Sequence, residues 1–166
     1  MLLSIATVST VSADTFWSLH YNGSSCQPDE NSGPNMLIDN GVVRFAPGKI
    51  GQIILYCPLS HRPQSATYAE PSVLELYYSD SDPELNMKRP HAFVNADYEL
   101  MSKHDAYFVS LAVASSQNGV QDGTFWMKSV PVPGVIAFDY SVYYIAIVMH
   151  RDDPTQEVAF YGVALR

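Results

Sequence analysis

The sequence predicts an all-β protein, an antiparallel β-sandwich of jelly-roll or immunoglobulin-like type with about 8–10 strands and one disulfide. Three observations lead there. Short apolar runs recur roughly every 8–15 residues, bounded by Gly, Pro or Asn turns. No stretch keeps a helical apolar period for longer than about ten residues. One run, residues 50–59, alternates cleanly and carries a cysteine on its apolar side. Gly51, Ile53, Leu55 and Cys57 face one way, and Ile50, Gln52, Ile54 and Tyr56 the other. Pro58 lacks a backbone donor and should end that strand. The other cysteine, Cys26, lies upstream in a turn-rich stretch, so a Cys26–Cys57 disulfide is expected to tie the N-terminal strand to the sheet. Closing a loop of this size stabilises the fold by about 3–4 kcal/mol in the chain-entropy treatment.

Residues 15–21 (TFWSLHY) read as the first strand, ended by Asn22, Gly23 and Ser24, which also form a glycosylation sequon. Residues 26–34 are loop by composition. Residues 36–45 hold Asn40 and Gly41 between two apolar runs, a strong hairpin signal. Pro47 and Gly48 then turn the chain into the strand of Cys57. Residues 61–71 are polar and proline-bearing, which suits a surface crossover between sheets. A strand at 72–78 is followed by the acidic turn 79–84. Residues 85–105 are ambiguous, because 92–101 suit either a strand or a short helix. Residues 107–114 alternate, with Tyr107, Val109, Leu111 and Val113 on one side and Phe108, Ser110 and Ala112 on the other. Further strands are expected at 124–130, 135–140, 142–149 and 157–165. The 142–149 run (VYYIAIVM) is apolar on both sides, which suits a strand covered on both faces by a loop, the N-terminal segment or another subunit. No internal repeat, low-complexity tract or domain linker is visible.

At 166 residues, a single sandwich domain over 14–166 is expected, large enough for a two-layer core. Residues 1–13 (MLLSIATVSTVSA) resemble the apolar and cleavage regions of a secretory signal, although no Lys or Arg precedes the apolar run. The segment is expected either to be cleaved or to stay as an N-terminal strand. It is too short and too rich in Ser and Thr to span a bilayer, so no transmembrane segment is expected. A secreted location, extracellular or at the cell surface with the periplasm included, follows, and an oxidising compartment favours the disulfide. Charged residues make up 16% of the chain, below the usual fraction of about a quarter. Eleven Tyr against nine Lys plus Arg describe a surface on which Tyr and Ser stand in for charge. The net charge is −8 and Lys49, Lys88, Arg89, Lys103 and Lys128 are scattered, which argues against nucleic-acid binding.

The order of these features resembles a class of short, uncharacterised, secreted bacterial β-sandwich proteins. The matching residues are Gly23 to Pro28, Asn40 with Gly41, Cys57-Pro58-Leu59, Tyr143 with Tyr144, and Tyr161-Gly162-Val163. The match covers most of 15–165 and implies a secreted sandwich without an established activity. Members often carry a second cysteine pair in strands matching 107–114 and 142–149. This chain has none there, and Leu111 and Ala146, or nearby apolar residues, would fill that core space.

Sites of chemistry are sparse. His20, His61, His91, His104 and His150 form no close ligand pair, and each falls at a strand end or in a loop, as surface histidines do. No Gly-x-Ser-x-Gly elbow is present and neither cysteine sits in a reactive context, so no catalytic residue is named. Asp80, Asp82 and Glu84 alternate in one turn and suit a calcium ion, but the glycine and distal glutamate of an EF-hand are missing. A solvated acidic turn accounts for them more simply, and the three remain the best metal candidate in the chain. Apart from that calcium, no cofactor is expected. Adjacent aromatics recur as Phe16 with Trp17, Tyr77 with Tyr78, Phe125 with Trp126, and Tyr143 with Tyr144. Neighbours on a strand face opposite ways, so one of each pair should point outward.

On sequence alone the first reading is a non-enzymatic extracellular structural or adhesion module. It would self-associate, in its strongest form as a filament subunit using strand addition, with a second copy or another extracellular protein as partner. The second reading is a carbohydrate-binding module whose outward aromatics meet a glycan. The third is a secreted hydrolase, which needs a cleft with a His or paired carboxylates at its floor.

Overall fold

Alternation turns into burial most plainly in β5 (Gly51–Pro58) of the computed structural model. Ile53, Leu55 and Cys57 are fully buried, while Gln52 and Tyr56 are exposed. The strand ends at Pro58, as expected. The structure describes residues 19–59, 73–80, 92–102, 108–116, 126–132 and 141–166. The expectations for residues 1–18 and for a strand at 135–140 lie outside them.

Two antiparallel sheets make up the fold. The first has six strands. Its order is β3 (Met36–Asp39), β4 (Val42–Phe45), β11 (Val158–Leu165), β6 (Val73–Asp80) and β9 (Trp126–Pro131), with β1 (Leu19–Asn22) also paired to β11. The second orders β2 (Gln27–Pro28), β5, β10 (Ser141–Arg151), β7 (Ala92–Ser102) and β8 (Phe108–Ser115). Among the described residues, the two-residue β2 takes the strand count just past the expected range. No α-helix occurs among the described residues, and 3₁₀ turns lie at Gly23–Ser25 and Gly33–Asn35. The ambiguous stretch at 92–101 is a strand, held between β10 and β8.

The core lies between the sheets. Leu74, Leu76, Phe160 and Leu165 of the first meet Ile53, Leu55, Val94, Ile145, Ile147 and Met149 of the second, all fully buried. Tyr98 and Tyr143 add two large rings, centroids 6.0 Å apart, at one end. Asn40 (φ 50°) and Gly41 (φ 82°) both take positive φ, the geometry of the tight two-residue hairpin between β3 and β4. A bulge between Phe160 and Gly162 turns Tyr161 outward, which lets Phe160 and Val163 both reach the core.

Three tethers fix the layers. Cys26 and Cys57 form the disulfide, with Cα atoms 4.2 Å apart. The chain leaves the first sheet at Asn22 and enters the second at Gln27, so the bond pins the crossover itself. Asp80 of β6 accepts from the Ser116 hydroxyl at 2.8 Å, and that oxygen accepts from the Val94 N–H at 2.9 Å. The Arg151 guanidinium, almost buried, donates to the carbonyls of Lys49, Ala46 and Gln156 at 2.7, 3.1 and 3.0 Å and lies over the Phe45 ring. The last two each join a strand of one sheet to a strand or loop of the other, and the first fastens the crossover between them to β5.

Candidate functional site

The outward side of the second sheet carries the densest set of unused chemistry. Its central strand β10 buries Tyr143, Ile145, Ile147 and Met149 inward, leaving Tyr144, Ala146, Val148 and His150 on the solvent side. Strand pairing extends these into rows. One row runs Pro58, Tyr144, Glu99, Ser110, and the next Gln27, Tyr56, Ala146, Asp97, Val113. A third holds Ile54, Val148 and Asn95, and a fourth Gln52, His150 and Phe93.

Tyr56 and Tyr144 meet edge to face, ring centroids 5.6 Å apart at 75°. Together with Gln27 and Pro58 they line an open hollow of about 360 Å³. Beside them Ala146 is only 6% exposed although it faces outward, because the larger Tyr56 and Asp97 flank it. The centre of the face is therefore a trough with a methyl floor and taller walls. His150 stacks on Phe93 farther along, centroids 5.3 Å apart, and its Nε2 lies 2.8 Å from Asp152.

Carboxylates supply the polar side. The Tyr144 hydroxyl donates to Glu99, and burial, then Glu99, pushes the phenol far above its ordinary value. Ser110 donates to Asp97 at 2.5 Å. The Asp97 carboxyl is nevertheless raised, chiefly by burial, with the Ser110 hydrogen bond opposing and Glu99 adding to the rise. Flat apolar rings beside fixed acceptors and amides suit a ligand with C–H faces and a fringe of hydroxyls.

The other sequence candidates disperse. Asp80 is 1% exposed and faces the core, bound to Ser116, whereas Asp82 and Glu84 lie outside the described residues. No group of three or more His, Cys, Asp or Glu able to hold a metal occurs among the described residues. His20 is exposed on β1, and His61, His91 and His104 lie outside the described residues. Two aromatic pairs split as expected: Tyr78 and Tyr143 face the core, Tyr77 and Tyr144 face out. Phe16, Trp17 and Phe125 are outside the described residues, as is the side chain of Trp126.

Two expectations are refined. The core space assigned to Leu111 and Ala146 or nearby apolar residues is filled by Ile145 and Ile147, with Leu111 packed against the core, while Ala146 itself floors the outer trough because the phase of β10 puts its two neighbours inside. The doubly apolar 142–149 run also needs no second subunit. Its residues from Tyr143 to Met149 are buried or half-buried within one chain, the outward ones shielded by side chains of β5 and β7. That removes the main sequence argument for self-association.

Sequence reasoning missed Tyr56, Asp97 and Glu99. Tyr56 was visible as the outward neighbour of Cys57, and the two acids alternate within the ambiguous 92–101 stretch.

No protein-family model matches the chain, and neither does any of the curated proteins compared with it. Among solved structures, a xylan-binding module, CBM15, aligns over 90% of this chain and 95% of its own, with a TM-score of 0.51 and 12% identity. The likeness is one of fold. A low-affinity xylan-binding module, CBM86, from Roseburia intestinalis aligns over the same shares at 10% identity with a TM-score of 0.43.

Proposed function

We propose that the protein is a non-catalytic carbohydrate-binding module, secreted, that holds a polysaccharide chain along the outer face of its five-stranded sheet. The observation that carries this reading is the Tyr56–Tyr144 pair walling a trough floored by Ala146, with Gln27, Asp97 and Glu99 within the same two rows. Sugar rings offer C–H faces to aromatic side chains, and their hydroxyls take up carboxylate and amide partners. The sandwich shared with a xylan-binding module supports the reading and makes xylan the first polymer to try. The disulfide between Cys26 and Cys57 supports export to an oxidising compartment.

Affinity electrophoresis in gels containing xylan, mixed-linkage glucan or cellulose derivatives tests it. The parent should be retarded by at least one of them. Tyr144→Ala and Tyr56→Ala should each weaken binding about tenfold or more, a loss of about 1.4 kcal/mol. Ala146→Leu, which fills the trough, should weaken it at least as much, while circular dichroism and the unfolding midpoint stay near the parent's. A parent retarded by no polysaccharide would refute the reading.

A further inference from the structure

The five strands of this sheet contain no lysine and one arginine, Arg151. That guanidinium is almost buried and committed to backbone carbonyls. His150, the remaining basic side chain, is paired with Asp152. Two carboxylates, Asp97 and Glu99, stand in the middle of the face, in the rows of Ala146 and Tyr144. Both already accept a hydroxyl from their own sheet, Asp97 from Ser110 and Glu99 from Tyr144. An ionised carboxylate only accepts hydrogen bonds, so sugar hydroxyls satisfy its remaining lone pairs. A sugar carboxylate brings no proton to donate and finds no cation on these strands to meet it. It would approach two like charges beside a surface of reduced dielectric, where repulsion is stronger than in bulk water. Specificity is as often built from such repulsion as from attraction.

We infer, resting on the carbohydrate reading, that this face sorts polymers by charge, taking uncharged chains and turning away those that bear uronate carboxylates. A glucuronate-bearing xylan and the same preparation after carboxyl reduction present one backbone with and without the charge. Isothermal titration of the parent should show the reduced polymer binding about fivefold or more tightly. In the double variant Asp97→Asn with Glu99→Gln, whose amide oxygens can still accept from Ser110 and Tyr144, the gap should shrink to less than about twofold. Either single variant should close part of it, which keeps the comparison open should the double variant not fold. The net charge of −8 could repel a polyanion from anywhere on the surface, so a remote control is needed. Asp39→Asn with Glu157→Gln removes the same two charges on the opposite layer and should leave the gap in place. A parent that binds both polymers alike, or a remote variant that closes the gap as far as the site variant does, overturns the inference alone. Binding to neither polymer overturns the inference, and the carbohydrate reading falls with it when no other polysaccharide retards the parent.

Discussion

Burial raises the proton affinity of Asp97 above that of an ordinary aspartate, and neither Ser110 nor its partial exposure restores it. The consequence for stability has a definite sign. A carboxyl whose folded pKa lies above its unfolded value holds its proton more tightly in the fold. Its favourable contribution is complete below the ordinary value of 3.8 and is lost as pH rises through the folded value. At neutral pH the ionised Asp97 therefore works against folding. Asp97→Asn, which keeps an acceptor for Ser110, should unfold at a higher temperature than the parent near neutral pH. That advantage should vanish at about pH 3, where both proteins are uncharged at this position. Thermal unfolding followed by circular dichroism at the two pH values measures it, and a variant no more stable at neutral pH would show that Asp97 is well solvated. A charge kept at a cost to the fold, on an outward face, is what a binding residue looks like.

Among elements, β5 was the easiest to read, because the buried Ile53, Leu55 and Cys57 alternate strictly with the outward Gln52, Ile54 and Tyr56. The Asn40–Gly41 hairpin was equally legible, since positive φ at both positions leaves few other residue choices. The partners of β11 were not. Pairing with β1, β4 and β6 joins segments far apart in sequence, and nothing local in the residues marks it. The bulge at Tyr161 likewise leaves no periodic sign. On β8 the expected alternation breaks: Ser110, expected on the side of Ala112, faces outward to Asp97, because the register slips between Tyr98 and Glu99 and passes over Leu111. The smaller side chains then line the core, with Ala112 and Ala114 buried and Val113 48% exposed, opposite Asp97. The large rings of Tyr98 and Tyr143 take up interior volume that bulkier residues on β8 would otherwise fill. The cysteine pairing was legible from a count of two; its role as the pin of a two-residue strand was not. Because β2 is so short, Cys26→Ser with Cys57→Ser should act twice. It should cost about 3–4 kcal/mol, which lowers the unfolding midpoint by roughly 6–16 °C for a chain of this size. It should also weaken polysaccharide binding in the protein still folded, since Gln27 walls the hollow only while β2 stays docked on β5. Unfolding scans and affinity electrophoresis at a temperature well below the lowered midpoint separate the two effects.

Seen whole, the sandwich presents two outer faces, and both have tyrosines at a hollow. On the first sheet Tyr77 and Tyr161 flank Gly162 beside His20, around an open space of about 260 Å³. The two faces differ in what their polar groups already do. The Tyr77 hydroxyl donates to Glu75 at 2.7 Å, and Arg166 pairs with the same carboxylate at 3.1 Å, a network that closes on itself. Arg44 sits 5.9 Å over the Tyr161 ring and is bound to Glu157, so the face of that ring is shared with a cation. On the second sheet Tyr56 and Tyr144 meet edge to face, and the trough beside them is floored by a methyl group. A polymer should therefore lie on one side of the molecule only. Hydroxyl-radical footprinting read by mass spectrometry distinguishes the two faces within a single sample, because every tyrosine reports on its own exposure. With polysaccharide bound, Tyr56 and Tyr144 should oxidise more slowly, and Tyr77 and Tyr161 should keep the rates of the free protein. Protection of Tyr77 and Tyr161 instead would move the site to the six-stranded sheet. Carbohydrate binding would then survive, while the trough at Ala146 and the charge selection argued from Asp97 and Glu99 would both fall.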